Sequence, residues 1–96
     1  MKQLQMKQVH LATIIEALDR RGQRATYAAV GGLVGLPAQS VMHGQPKTQR
    51  NSWVVSAKRK LPTGYSQTEM HPLLLSRPEV IGSTAELAAW LGPPAP

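Results

Sequence analysis

The sequence contains no cysteine, which excludes disulfides, thiolate metal ligands and cysteine nucleophiles. This composition is compatible with a reducing cytoplasm. The sequence also lacks any apolar run that approaches the roughly 20 residues of a membrane-spanning helix. We therefore expect a soluble, cytoplasmic protein that has no membrane partner.

Acidic residues are few and unevenly placed. The chain has 5 Asp and Glu residues against 11 Lys and Arg residues, and no acidic residue lies between Asp19 and Glu69. The basic residues in that interval are Arg20, Arg21, Arg24, Lys47, Arg50, Lys58, Arg59 and Lys60. Such a one-sided distribution favours a polyanionic partner, and double-stranded DNA is the expected one. The alternative is a basic surface without a specific partner.

The residues that enzymes use for catalysis form no recognisable pattern. Glu16 and Asp19 are the carboxylates with a helical spacing, and they lie on an ordinary helix end. His10, His43 and His71 fall on different predicted elements, which disfavours a zinc site. There is no nucleophile elbow and no phosphate-binding glycine motif. The sequence predicts a protein that is not an enzyme and that needs neither a metal nor a cofactor.

Residues 26–44 have the pattern of a helix-turn-helix unit. Apolar residues at offsets of three and four favour a helix over Tyr27–Val34, which Thr26 can cap through its hydroxyl. Gly35 is suited to end this helix in the left-handed region. A second, short helix is expected over residues 38–43, closed by Gly44.

Gly31 and Gly32 lie inside the first of these helices. Two glycines there cost roughly 1–2 kcal/mol relative to alanine. Close approach of another helix is the favoured explanation of the pair, and a ligand-binding loop is the alternative.

The flanking segments can supply the core of the unit. An amphipathic helix that ends at Gly22 presents Leu11, Ile14, Ile15 and Leu18 on one face. Ser83 and Glu86 have the spacing of a capping box that opens a last helix. Residues 73–75, three leucines, are expected to cover the core.

A β wing is expected between these helices. Residues 53–55 suit a strand, residues 58–60 a turn, and residues 61–65 a return strand that Pro62 confines to a sheet edge. The predicted fold class is therefore mainly α with a small β wing, a winged helix-turn-helix. We expect one domain over residues 1–91 and a disordered, Pro-rich tail over residues 92–96.

The predicted DNA contacts fall into two groups. Gln39 and Ser40 lie near the start of the predicted recognition helix, residues 38–43, where side chains meet base edges or phosphates. The alternative is that both are solvent-facing polar residues. The eight basic residues named above are expected to hold phosphates. Trp53 has two possible roles, stacking on a base or anchoring the core, and the core role is favoured.

Several motifs follow one another between residues 17 and 65. They are Ala17-Leu18 before a basic link, Thr26-Tyr27 at a helix start, Gly35-x-Pro37 in the turn, Gly44, and Trp53-Val54-Val55-Ser56 before a basic turn. In this order of motifs the chain resembles the C-terminal, DNA-binding domain of the alkylguanine-DNA alkyltransferases and their alkyltransferase-like relatives. The resemblance implies a winged helix-turn-helix bound to DNA, with Tyr27 against the DNA backbone.

The chain departs from that family at its reactive centre. The family's Pro-Cys-His-Arg motif corresponds to Arg50-Asn51-Ser52-Trp53, and its base-flipping arginine would fall near Val41. The resemblance therefore implies DNA binding without alkyl transfer. Two alternatives are a protein-interaction module on the same scaffold and a protein that senses altered bases without repairing them.

Overall fold

A computed structural model of the chain describes residues 10–76 and 79–92. The remaining residues lie outside this part, and with them the predicted tail apart from Gly92. The described elements are α1 (Leu11–Arg21), β1 (Arg24–Thr26), α2 (Tyr27–Val34), 3₁₀ helices at Ala38–Ser40 and Arg50–Trp53, β2 (Val54–Val55), a 3₁₀ helix at Gln67–Glu69, β3 (Val80–Ile81) and α3 (Thr84–Leu91).

α1 forms as its apolar spacing predicts. Ile14, Ile15 and Leu18 are buried on its inner face. The helix ends at Gly22, which has a φ of 68° and donates its N–H to the carbonyl of Leu18. Glycine is favoured here because this left-handed conformation crowds a Cβ atom.

The beginning and end of α2 are also confirmed. Thr26 is the last residue of β1 and caps α2, because its hydroxyl oxygen accepts the N–H of Ala29 at 3.1 Å. A cap of this kind stabilises a helix by about 1 kcal/mol. Gly35 ends the helix with a φ of 77°.

The second helix of the unit is shorter than predicted. Ala38–Ser40 is a 3₁₀ helix, and residues 41–44 form turns that end at Gly44, with a φ of 80°. The N–H of His43 bonds to the carbonyl of Ser40 at 3.1 Å, an i to i−3 pattern. Only a few residues separate Pro37 from Gly44, so the segment tightens into 3₁₀ turns and does not build an α-helix.

The strands form a parallel three-stranded sheet in the order β2-β1-β3. In the middle strand, Ala25 lies opposite Val54 on one side and Ile81 on the other. The described part of the chain is thus a small, compact, mixed α/β domain. The sequence predicted a mainly α fold and gave no indication of β3.

The predicted return strand of the wing is wrong, because residues 61–65 form turns and bends. The N–H of Ser56 donates to the carbonyl of Leu61 at 3.0 Å, and the N–H of Lys60 donates to the carbonyl of Ser56 at 2.8 Å. The chain therefore reverses within six residues, and Pro62 follows without an N–H to offer a neighbouring strand. β2 pairs with β1 instead.

α2 and α3 pack closely at Gly32, as the glycine pair predicts. A Cβ atom on Gly32 would overlap the hydroxyl of Thr84, the first residue of α3. That hydroxyl donates to the carbonyl of Ala29 at 3.2 Å. α3 itself is capped by Ser83, whose hydroxyl oxygen accepts the N–H of Glu86, which is one of the two bonds of the predicted capping box. The carboxylate of Glu86 accepts from the Ser83 hydroxyl at 3.2 Å.

The core lies between the sheet and the three helices. It contains Ile14, Ile15, Leu18, Ala25, Ala29, Val30, Val41, Trp53, Val54, Leu74 and Leu87. Of the three leucines expected to cover it, only Leu74 is buried, whereas Leu73 is 58% exposed and Leu75 is 69% exposed. Successive side chains of a turn point in different directions, which explains the difference. No helix in the described part has both the length and the apolarity to cross a membrane.

Candidate nucleic-acid interface

An open groove of about 510 Å³ lies where the start of α2 and residues 38–43 meet the loop after β2. We call it the polar groove after the polar side chains among its lining residues, although most of its exposed surface is apolar. The lining residues are Tyr27, Ala38, Gln39, Met42, His43, Ser56 and Thr63. None of these residues is acidic. The polar groove can therefore accept an anionic partner without charge repulsion from its own walls.

Tyr27 connects α2 to the loop after β2, and both contribute to the polar groove. It is the first residue of α2, and its hydroxyl oxygen accepts the N–H of Thr63 at 2.8 Å. Gln39 also lines the polar groove, and its side chain is exposed. The structure thus brings together two of the predicted DNA contacts. Ser40 is partly buried and does not line the groove.

Lys58, Arg59 and Lys60, which we call the basic turn, follow directly on Ser56 of the groove wall and Ala57. All three are exposed. The hydroxyl oxygen of Ser56 accepts the N–H of Arg59 at 2.9 Å, and the backbone of Lys60 has a φ of 62°. The basic turn therefore presents three cations, from a hydrogen-bonded backbone, in the loop that also carries Ser56 and Thr63 of the polar groove. None of the three lines that groove, and Arg59 lines a neighbouring cavity of about 300 Å³ that shares Thr63 with it.

Lys47 belongs to the same neighbourhood. Its Cε atom lies 3.3 Å from the position that a Cβ atom would have on Gly64, the residue after Thr63 of the groove. The side chain of Lys47 is exposed. It adds a fourth cation beside the loop that carries the basic turn.

Arg24 differs from the prediction that it holds a phosphate. It lies in the middle strand β1, and it is only 5% exposed. Its Nη1 atom donates to the carbonyl of Lys60 at 3.0 Å. Burial lowers the pKa of Arg24, but an arginine stays charged at neutral pH. The structure makes Arg24 a support of the basic turn.

Trp53 also differs from the prediction that it contacts DNA, and the favoured core role is confirmed. Its side chain is 1% exposed, so it cannot stack on a base. The indole Nε1 donates to Asp19 Oδ1 at 2.8 Å, and the ring lies 4.8 Å from the ring of His71. Trp53 thereby ties α1 to the segment before β2.

The remaining predicted phosphate contacts, Arg20, Arg21 and Arg50, do not line the polar groove either, and they lie outside the loop that carries the basic turn. Arg21 donates from Nη1 to the carbonyl of Trp90 at 2.9 Å and lies over the Trp90 ring at 4.6 Å. Arg20 is exposed and pairs with Glu16 at 3.9 Å. Arg50 borders a smaller cavity of about 200 Å³ that shares no lining residue with the groove.

Met42 and His43 were not predicted, and nor were the groove positions of Ser56 and Thr63. Met42 and His43 lie within the predicted recognition helix, so their spacing from Gln39 by three and four residues was an available signal. Ser56 and Thr63 reach the groove because the chain reverses between them, at the turn predicted for residues 58–60. The turn was predicted from the sequence, but which flanking residues face the groove depends on tertiary packing.

Asn51, Ser52 and Trp53, which the resemblance described above would set at a reactive centre, are packed into the protein. Ser52 is 0% exposed, its hydroxyl donates to the carbonyl of Gln49 at 2.6 Å, and its oxygen accepts the N–H of His71 at 2.9 Å. Asn51 donates from Nδ2 to the carbonyl of Pro46 at 2.8 Å. Val41, near which the resemblance would set a base-flipping arginine, is 2% exposed. Within residues 10–76 and 79–92, no three His, Cys, Asp or Glu residues lie together as metal ligands would.

Comparison with known proteins gave no match. No protein-family model matches the chain, and neither a curated protein nor a solved structure matches it. The polar groove and the basic turn are therefore the features from which a function is inferred.

Proposed function

We propose that the protein binds double-stranded DNA in the cytoplasm and catalyses no reaction on it. In this proposal residues 26–44 are a helix-turn-helix unit of winged type, and residues 38–43 present Gln39 to a groove of the duplex. The basic turn takes the place of a wing and holds phosphates. One observation carries the proposal: the loop after β2 contributes both the basic turn and two residues of the polar groove, in a stretch without acidic residues.

The division of roles follows from the chemistry of the side chains. Gln39 can pair with adenine through its amide, which has both a donor and an acceptor. The ammonium groups of the three lysines, at Lys47 and in the basic turn, and the guanidinium of Arg59 suit phosphate oxygens. Tyr27 lines the same groove as Gln39, and its hydroxyl oxygen binds the N–H of Thr63 in the loop that carries the basic turn.

A titration of labelled DNA duplex at two salt concentrations tests the proposal. If Lys47 and the three residues of the basic turn each neutralise one phosphate, log K falls against log salt with a slope of about −3.6. Affinity should then drop about 150-fold between about 50 and about 200 mM salt. Polyglutamate of matched charge serves as the control and should compete poorly. Absence of duplex binding at low salt, or equal binding of polyglutamate, would refute the proposal.

The absence of catalysis has its own test. A chain without cysteine has no thiolate to accept an alkyl group, and Ser52 is fully buried in a hydrogen-bond network. Incubation with duplex that carries a labelled alkylguanine should leave no label on the protein. Stoichiometric labelling would contradict this part of the proposal.

A protein partner is the second candidate. It is favoured by Leu73 and Leu75, which are exposed close together in the turn before β3. Exposed apolar side chains of this kind occur at protein interfaces. Replacement of both leucines by serine should leave duplex binding unchanged if DNA is the partner.

A further inference from the structure

We propose that Arg24 and Tyr27 are positioning residues that clamp the basic turn in its binding conformation before any partner arrives. The inference rests on the proposed function for the purpose of the turn. The clamp itself is a property of the free protein, so its existence can be tested without DNA.

The first half of the clamp is the contact between Arg24 and Lys60. Arg24 lies in the middle strand of the sheet, with a neighbouring strand on each side. From there its guanidinium reaches the carbonyl of Lys60 at 3.0 Å. A buried, planar guanidinium on a central strand is a rigid donor, so it fixes the position of that carbonyl.

The backbone of Lys60 shows that the turn is held in place. In residues 10–76 and 79–92, Lys60 is the one non-glycine residue with a positive φ, at 62°. Residues with a Cβ atom adopt this conformation where their surroundings impose it. Here the N–H of Lys60 donates to Ser56 at 2.8 Å and its carbonyl accepts from Arg24. Both peptide groups that flank the Lys60 side chain are therefore bound.

The second half of the clamp is Tyr27. Its hydroxyl oxygen accepts the N–H of Thr63, three residues after Lys60. Arg24 and Tyr27 both belong to the junction of β1 and α2, which Thr26 fixes by its cap. One rigid junction thus holds the loop at two points.

A clamped turn changes the cost of binding. When phosphates meet a flexible loop, part of the binding free energy is spent on ordering the backbone. The basic turn has that order in the free protein, so only its long side chains remain to be ordered. Loss of the clamp should weaken DNA binding without removing a phosphate contact.

Limited proteolysis with trypsin tests the clamp directly, because trypsin cleaves after each residue of the basic turn. We expect Arg24→Met to raise cleavage at the turn about tenfold relative to cleavage after Arg21, the internal reference. Arg20→Met is the matched control, since it also removes one arginine, and it should leave the ratio unchanged. An unchanged ratio in Arg24→Met would overturn the inference.

Tyr27→Phe keeps the test decisive if Arg24→Met loosens the whole fold and speeds cleavage at every site alike. This variant removes only the hydroxyl that binds Thr63. It should raise the turn-to-reference ratio severalfold while unfolding in urea remains cooperative. If the ratio does not rise in Tyr27→Phe, the clamp is refuted.

The same variants test whether the clamp affects DNA binding. Arg24→Met should weaken duplex binding about tenfold and leave the salt slope unchanged, because no phosphate contact is lost. A slope shallower by about one unit would show that Arg24 touches a phosphate itself and would overturn the positioning role. If the wild-type protein binds no duplex, the proposed function fails, whereas the clamp is still decided by the cleavage ratio.

Discussion

Removal of the three charges of the basic turn is the most direct perturbation of the proposed interface. The variant Lys58→Gln, Arg59→Gln, Lys60→Gln keeps side chains of moderate length and leaves the backbone bonds of the turn in place. Its side chains are exposed, so the substitution removes charge from the surface and nothing from the core. We expect the free energy of unfolding to change by less than about 0.5 kcal/mol.

The expected changes in salt slope and in affinity follow from counterion release. Each lost phosphate contact removes about 0.9 from the slope of log K against log salt. Three lost contacts should change the slope from about −3.6 to about −0.9. If the two lines meet near 1 M salt, the affinity at about 0.1 M falls about 500-fold.

Fluorescence anisotropy of a labelled duplex at several salt concentrations measures both quantities. The matched control is the variant Arg20→Gln, Arg21→Gln, Arg50→Gln, which removes three positive charges that lie outside the loop after β2. Its slope should stay within about half a unit of the wild type. Circular dichroism shows whether each variant is folded. If the basic-turn variant changes the slope by less than about one unit, or if the control changes it as much, the interface lies elsewhere.

Three further predictions concern stability. Gly32→Ala should destabilise the protein by about 1–3 kcal/mol in urea unfolding, because the new methyl overlaps Thr84; stabilisation by the roughly 1 kcal/mol that alanine gains in a helix would contradict the close packing. Trp53→Phe should cost about 1.5–3 kcal/mol, since Asp19 loses its indole donor, and an unchanged denaturation midpoint would contradict this. Burial, assisted by the charges of Tyr27 and Glu69, raises the pKa of Tyr65 to about 12. An unfolded tyrosine ionises near about 10, so stability should fall as pH rises from about 10 towards about 12, and Tyr65→Phe should remove that part of the decline, as pH-dependent urea unfolding can show.

The helices could be predicted because their signals are local. Gly22, Thr26 and Gly35 act on neighbouring peptide groups, and the structure confirms all three. The sheet could not be predicted in this way. β2 and β3 have two residues each, and their partner β1 is distant in the sequence. Such short strands have no periodicity of their own, so tertiary packing decides whether they form.

The candidate site shows the same division. Tyr27 and Gln39 were identified by residue type and position, and the structure places both on the polar groove. Arg24 was assigned to phosphate because its charge was visible in the sequence and its burial was not. The burial of Arg24 depends on β2 and β3, the two neighbours of the middle strand. The sequence predicted β2 as part of a wing and did not predict β3.

The order of the strands in the sheet determines when this domain can form during its synthesis. In residues 10–76 and 79–92, the first strand in sequence order is the middle strand of the sheet, and Ala25 lies opposite Val54 and Ile81. At about 5–20 residues per second, a ribosome needs about 3–11 s to add the residues between Ala25 and Ile81. During this time one side of β1 has unpaired N–H and C=O groups that another strand can bind. A chain cut after Ser76 keeps β1, β2 and residues 26–44 and also keeps that open edge, so we expect it to self-associate.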